Sequence, residues 1–588
     1  MLSTFYYTFG LNIISVITSH FFGNLNNTNQ MEPKPTFKIG LCMAGAVSAG
    51  AYTAGVVDYL LEALNHWEER KRNSVPGTPT HNVVIEIIGG ASAGGMTAVI
   101  AAASACKRFK PVTLNSTAEE RAKNPLYDSW VNMTSNDVFL EMLNTNDIDD
   151  KNVYSLMNSL FIDKIAEKAL APTTDKQDLP KFLSPDLKFF TTLTNTQGFE
   201  YSAGFNSSNE EESSYKLKTH RDFACFKLQN ADSPFVNDGW IPVDFSTGLN
   251  SRVAMDAAMS TGAFPVGLKA RKLVREGEYL NQLDWYADVF GKKKDAFTKS
   301  YTSLNIDGGV IDNEPFELIR KELAKSCKSC NEIEETSFDH FSSTTIMVDP
   351  FPLGSGDAND ESDIVSIIGK TIGVMLDESR SKPSLIYEAL DASNASRFLI
   401  SPVRYVMNGS SEEKISGSTA IACGAIGGFS GFFSKEFRVH DFFLGRLNCE
   451  KFLRDYLTAP ADSSNRIFTE GYADLVDSFA VTDKKTGKKY LPIIPVFPEV
   501  TYGYSLPVFK TNSNWPSISE KKVELFSSPL KSRIDKIFCV LMSRYLSSSV
   551  WLKPLFWIIR RSFLNAIVKN MVINKLLSAF ESHGLLAK

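Results

Sequence analysis

Ser92 is the residue of this chain best placed for covalent chemistry. It stands in Gly90-Ala91-Ser92-Ala93-Gly94, after Asn82-Val83-Val84-Ile85-Glu86-Ile87-Ile88 and before Met96-Thr97-Ala98-Val99-Ile100-Ala101-Ala102-Ala103. The β-branched run predicts a buried strand, and the Ala-rich stretch predicts a helix whose closing Lys107 and Arg108 suit its dipole. In that setting G-x-S-x-G is a nucleophile elbow. A serine hydroxyl attacks only when held exposed beside a base, and side chains at Gly90 and Gly94 would crowd the turn that exposes it. The plain alternative is a glycine-rich turn that packs a helix on a strand.

Such a nucleophile needs donors for the oxyanion it creates and a group to take its proton. A second glycine-rich turn, Ala44-Gly45-Ala46-Val47-Ser48-Ala49-Gly50, follows the strand pattern Phe37-Lys38-Ile39-Gly40-Leu41-Cys42-Met43 and precedes a helical pattern from Ala51 to Leu64. Small residues there leave backbone N–H groups at a helix N-terminus, where an oxyanion is held. A phosphate-binding loop is the competitor, but no lysine followed by Ser or Thr closes this one. Downstream, Tyr301-Thr302-Ser303-Leu304-Asn305-Ile306 leads into Asp307-Gly308-Gly309, an acidic residue at a strand end facing the carboxyl edge of a sheet.

Together, in this order, the three segments resemble the patatin-like phospholipase family. The resemblance implies a Ser-Asp dyad with Ser92 as nucleophile and Asp307 as general base, an oxyanion hole from Gly45, Ala46, Val47 and Gly50, an elbow of Gly90, Ala91, Ala93 and Gly94, and an acid motif of Gly308 and Gly309. The block Ala257-Ala258-Met259-Ser260-Thr261-Gly262-Ala263-Phe264-Pro265 is similar to one that the family carries between nucleophile and acid. The likeness covers roughly residues 37–350. It departs from the family where Ala46 and Val47 replace glycines and Ala49 replaces a basic residue; backbone donors survive these changes and the positive charge does not. The resemblance implies a lipid acyl hydrolase with a lipid or acyl-ester substrate and no metal or organic cofactor. A catalytically weak lipid-binding protein of the same fold is the alternative.

Seven histidines leave room for a Ser-Asp-His order through His340 or His440. His440, in Phe437-Arg438-Val439-His440-Asp441-Phe442, reads more readily as a packed structural residue, and His340 lies in a polar loop. With Asp307 as base, activity should decline as a carboxylate protonates in the acid range, without the near-neutral limb of a histidine.

At 588 residues the chain should hold about two to four structural units. Composition is that of a globular enzyme, and 62 Lys plus Arg against 67 Asp plus Glu give a net charge of −5, which offers no nucleic-acid signal. Eight irregularly spaced cysteines argue against a disulfide scaffold; Cys327 and Cys330 have no partnering pair for zinc, and a reducing compartment fits. The expected fold is a three-layer α/β/α sandwich with a mostly parallel central sheet over 37–350, followed by a mainly helical C-terminal extension over 351–535. Helices and loops should occupy 106–185, with Asn152 to Leu156 opening a helix. Strands are expected at 189–194, 224–228 and 344–348, and a solvated loop at 206–214. The run from Ile421 to Phe433 reads as tight packing or as the lining of an acyl tunnel, and the stretch from Phe437 to Cys449 resembles an extension found in some bacterial patatin-like proteins.

From Lys536 to Phe580 seven basic residues and no acidic one interleave with Trp551, Phe556, Trp557 and Phe563. This reads either as a basic amphipathic helix on an anionic membrane surface or as a terminal hairpin packed on the core. A cytoplasmic, peripherally membrane-associated protein is expected, or an anchored or exported one if residues 1–30 belong to it. Residues 1–36 form an apolar segment and linker whose Phe5–Phe22 stretch lacks a preceding Lys or Arg. We expect translation to begin at Met31, and mass spectrometry of the native N-terminus should find no peptide upstream of it.

Overall fold

The computed structural model describes residues 34–587 except 106, 108–109, 150, 173–177, 205–213, 230–235, 291–296, 328–336, 353–396, 409–410, 504 and 546–571. The apolar segment before residue 34, the helical pattern expected near 364–376, Cys330 and the middle of the basic tail lie outside the described residues.

Four strands near the centre of the chain's main sheet run parallel: β1 (Thr36–Met43), β2 (Asn82–Gly90), the first half of β3 (Leu183–Gly204) and, on the other side of β1, β8 (Ser343–Val348). Among the described residues the sheet has nine strands, its main path ordered β5-β4-β3-β2-β1-β8-β9, with β4 (Ser214–Leu228), β5 (Ile241–Val243) and β9 (Arg397–Ile400) completing it. β9 pairs parallel with β8, so the sheet continues past residue 350 into the extension.

Helices cover both faces, giving the three-layer α/β/α sandwich. On one face lie α1 (Gly50–Arg72), α2 (Ala93–Ala105), α3 (Leu160–Ala169) and α4 (Ser251–Thr261), over a core that includes Leu41, Met43, Ile85 and Ile88. On the other lies α5 (Phe316–Ser326), whose Phe316, Ile319 and Leu323 pack with Cys42, Ile87 and Phe190. Successive strand residues face opposite layers, as Leu41, Cys42 and Met43 do, and a register shift between Ile85 and Ile87 turns those two residues of β2 to opposite cores.

The expected strand at 189–194 is the middle of a 22-residue strand, and β4 spans 15 residues. β3 outruns β2, whose pairing with it ends at Gly90 and Thr191, and its far half carries an antiparallel lobe of β4, β7 (Tyr301–Asp307) and β6 (Arg271–Arg275). Within 106–185, Asn152–Leu156 opens no helix: the chain there pairs backbone with 266–267, and α3 starts at Leu160. Asn158 Oδ1 accepts the N–H of Leu160 at that start, a signal that the expectation placed too early.

The extension is seated by α6 (Lys435–Asp455), which crosses α1 at backbone contact. A Cβ on Gly55 would stand 1.9 Å from the carbonyl oxygen of Phe442, and one on Gly445 would stand 2.1 Å from that of Tyr52. Arg446 of α6 pairs with Asp58 and Glu62 of α1, all three buried. Asn124 and the Val112 N–H also donate to Asp58, and Tyr502 donates to Glu62 at 2.5 Å. Burial nonetheless pushes Asp58 up to about 6, with Arg446 opposing it.

α7 (Ser527–Tyr545) and α8 (Asn574–Ser582) hold the described ends of the basic tail against the body. Ile537 and Val540 pack on Ile148, and Phe580 packs on Phe433 and Phe437. No helix among the described residues is long and apolar enough to cross a membrane.

Removing Arg446 leaves two buried carboxylates without their cation. Arg446→Met should lower unfolding free energy at pH 8 by about 3–5 kcal/mol, and by less below pH 6, where Asp58 takes up a proton. Urea denaturation of the full chain at both pH values checks this.

Candidate active site

β1, β2 and β8 end at one edge of the sheet, where Met43 pairs with Gly90 and Val348, and β3 passes that edge at Thr191, the partner of Gly90. Ser92 follows two residues after β2 and one before α2, with φ of 48°. A Cβ on Gly90 or Gly94 would stand 2.2 or 2.1 Å from the carbonyl oxygen of Met43, so the elbow rests directly on the end of β1. Ala91 donates its N–H to that same oxygen, and Ala93 opens α2.

Asp307 reaches this edge from the opposite direction to that expected. It ends β7, which is antiparallel to β3 and pairs Asp307 with Leu193, two residues past the Thr191 level. The overlong β3 thus brings an acid down onto a serine that comes up from β2. Ser92 Oγ donates to Asp307 Oδ2 at 2.6 Å, and both residues are buried. The Gly309 N–H donates to Oδ1 at 2.8 Å, while Gly308 opens the turn that places it. The backbone of Asp307 is fixed as well, donating to Ala263 and accepting from Thr194 Oγ1, both at 2.9 Å.

Burial pushes Asp307 up to about 7, with the hydrogen bonds from Ser92 and Gly309 pulling the other way. If Asp307 acts as the base, its desolvation moves the expected limb out of the acid range to near pH 7. A limb near pH 7 no longer points to histidine. His440 is buried on α6, bonded to Asp441 at 2.7 Å, and that carboxylate accepts the N–H groups of Ala422 and Cys423. Neither His440 nor His340 lines the Ser92 pocket.

Gly45 to Gly50 runs from the end of β1 through a short turn, Val47–Ala49, into α1. A Cβ on Gly45 would stand 3.1 Å from Ser92 Cβ and 2.3 Å from Asn313 Oδ1, so the loop passes against the nucleophile and tolerates no side chain there. Ala46 and Ala49 are buried, and Val47, at φ of 49°, lines the same pocket as Ser92. Among the described residues the Nδ2 of Asn313 is buried without a hydrogen-bond partner, a spare donor beside this loop.

Three supports of the site have no signature in the sequence. Thr261 Oγ1 accepts the Ser92 N–H at 2.9 Å, a residue inside the quoted 257–265 block whose role its spacing could not reveal. Ser48 donates to the carbonyl of Gly428 and accepts the N–H of Gly431 at 3.0 Å, bracing the loop from 380 residues away. Arg438 holds the same segment by donating to the carbonyls of Gly431, Val131 and Ser135. The 421–433 run consists of short, tightly packed turns, and its Phe432 also reaches the pocket.

That pocket, about 60 Å³, has Ser92 and Asp307 at its polar end and is otherwise mostly apolar, lined by Met96, Trp130, Phe161, Phe264 and Leu268 among others. A larger cavity, about 870 Å³, opens between the C-terminal ends of α1 and α2 and shares no residue with it. Size favours the second and chemistry the first. Among the described residues no cluster of His, Cys, Asp or Glu could hold a metal ion.

A buried hydroxyl thus donates to a desolvated carboxylate at the carboxyl edge of an α/β/α sandwich, the pairing that nucleophilic catalysis by a serine needs. Residues 41–319 match the family described as patatin-like phospholipase. An uncharacterized protein of Sinorhizobium fredii, y4iI, is 29% identical over 565 residues, covering 88% of this chain and 78% of its own. VipD from Legionella pneumophila aligns over 93% of this chain and 90% of its own, at 10% identity and a TM-score of 0.18, too low to bear on the fold.

A carboxyl raised by burial favours the folded state below its unfolded value of 3.8, and that contribution is lost as pH rises through about 7. Asp307→Asn escapes the loss. Thermal unfolding should show the variant gaining on the wild type between pH 4.5 and 8, by on the order of 1–3 kcal/mol.

Proposed function

We propose that the protein is a lipid acyl hydrolase working through a Ser92–Asp307 dyad. The 2.6 Å contact between Ser92 Oγ and Asp307 Oδ2 at the polar end of an apolar pocket carries this reading. Asp307, as carboxylate, takes the hydroxyl proton while Oγ attacks the ester carbonyl. Backbone N–H groups of Gly45 to Val47 receive the oxyanion, with the Asn313 amide beside them. The protonated Asp307 then gives its proton to the departing alkoxide, and an acyl-Ser92 ester remains. Water, deprotonated by Asp307, attacks that ester, and collapse of the second intermediate releases the fatty acid and restores the hydroxyl. The apolar pocket accepts the acyl chain. We place the protein peripherally at a membrane surface on the cytoplasmic side.

The alternative, an idle lipid-binding protein, draws on Ala49, which stands where the family carries a positive charge. Reaction of residues 31–588 with a fluorophosphonate probe decides between them. Labelling and phospholipid hydrolysis should both fall on the order of 10³-fold or more in Ser92→Ala and Asp307→Asn. The wild-type rate should rise with pH through about 7, as Asp307 ionises. Intact protein that binds vesicles without labelling or hydrolysis would establish the alternative.

A further inference from the structure

Four large apolar side chains stand in water around one point of the surface. Val266 is 65% exposed, Tyr154 54%, Leu156 50% and Leu160 45%. They form one patch: the Leu156 N–H donates to the carbonyl of Val266 and the Met157 N–H to that of Gly267, both at 2.9 Å. Lys269 ties in the other two, its ammonium 4.9 Å from the Tyr154 ring centroid and its N–H 3.4 Å from Ser159 Oγ, just before Leu160.

This patch is continuous with the acyl pocket. Phe264 and Leu268, on either side of Val266, line that pocket, as do Phe161 and Ile162, which follow Leu160. Val266 also sits at φ of 64°, a conformation costly for a β-branched residue, and one that is kept while the side chain stands in solvent. Exposure and strain thus coincide at the rim of the site, where a contiguous apolar patch marks a contact surface.

The patch is rigid from behind. Arg533 of α7 pairs with Asp147 at 2.8 Å and donates to the carbonyls of Leu156 and Ser155, so the loop bearing Tyr154 and Leu156 is fixed before anything binds. Little ordering entropy then opposes its burial.

We propose that Tyr154, Leu156, Leu160 and Val266 form the face by which this protein seats on a phospholipid surface, with Lys269 reaching the lipid phosphates. An acyl chain then passes from the bilayer into the Ser92 pocket without crossing water. The inference rests on the lipid-hydrolase reading for its purpose, while binding itself can be measured without catalysis.

The test uses full-length Ser92→Ala protein and sedimentation with vesicles of phosphatidylcholine containing a minority of phosphatidylglycerol. Val266→Asp and Leu156→Asp should each lower partitioning on the order of tenfold or more. In the Ser92 background they should leave fluorophosphonate labelling intact, which also shows that they fold. Val266→Trp should gain a blue-shifted emission on adding vesicles. Unchanged partitioning in both Asp variants, with no shift for Val266→Trp, would overturn the proposal; loss of binding only on changing Arg560 and Arg561, two of the seven basic residues between Lys536 and Phe580, to Glu would assign the contact to the basic tail and overturn it too. Wild-type dimers that Val266→Asp converts to monomers, without change in vesicle binding, would make the patch a self-association surface and likewise overturn it.

Discussion

Two helices touching backbone to backbone hold the two halves of this chain in one body. α1 begins at the loop beside Ser92, and α6 belongs to the extension nearly 400 residues on; Gly55 and Gly445 let them approach until carbonyl oxygens fill the place of side chains. That closeness puts Arg446 between Asp58 and Glu62. It also lets the 428–431 segment reach Ser48, so the wall of the site depends on a crossing distant from it.

The second constraint is the length of β3. In a purely parallel sheet, residues at the carboxyl edge come from strands rising in one direction. Here β3 continues beyond its neighbours and provides an antiparallel ladder for β7, whose Asp307 descends to meet Ser92. The serine needs a left-handed turn and the acid needs to be dry, and separate lobes of one sheet meet these demands.

Much of this was legible from the residues. The elbow, the loop from Gly45 and the Asp-Gly-Gly turn each announced themselves, because tight backbone approach can be met only by small residues and those residues are visible in one dimension. The sandwich followed from strand and helix patterns in alternation. What stayed hidden was non-local: Thr261 beneath Ser92, Ser48 against Gly428, and the reversal of β7 have no signature at short spacing. The acidity of Asp307 was misjudged because a sequence carries no measure of dryness. The start of α3 was placed too early because Val153, Tyr154 and Leu156 mimic a helical stripe while serving a strand-like pairing and an exposed rim.

The brace between Ser48 and Gly428 also bears on how the protein is made. Synthesis proceeds from the N-terminus, so Ser92 and Asp307 emerge well before the turns from 421 to 433 and before α6. A half-made chain on the ribosome therefore holds both polar groups but not the wall beside them. The wall beside Ser92 is complete only once the last third of the polypeptide has been made and packed on the first.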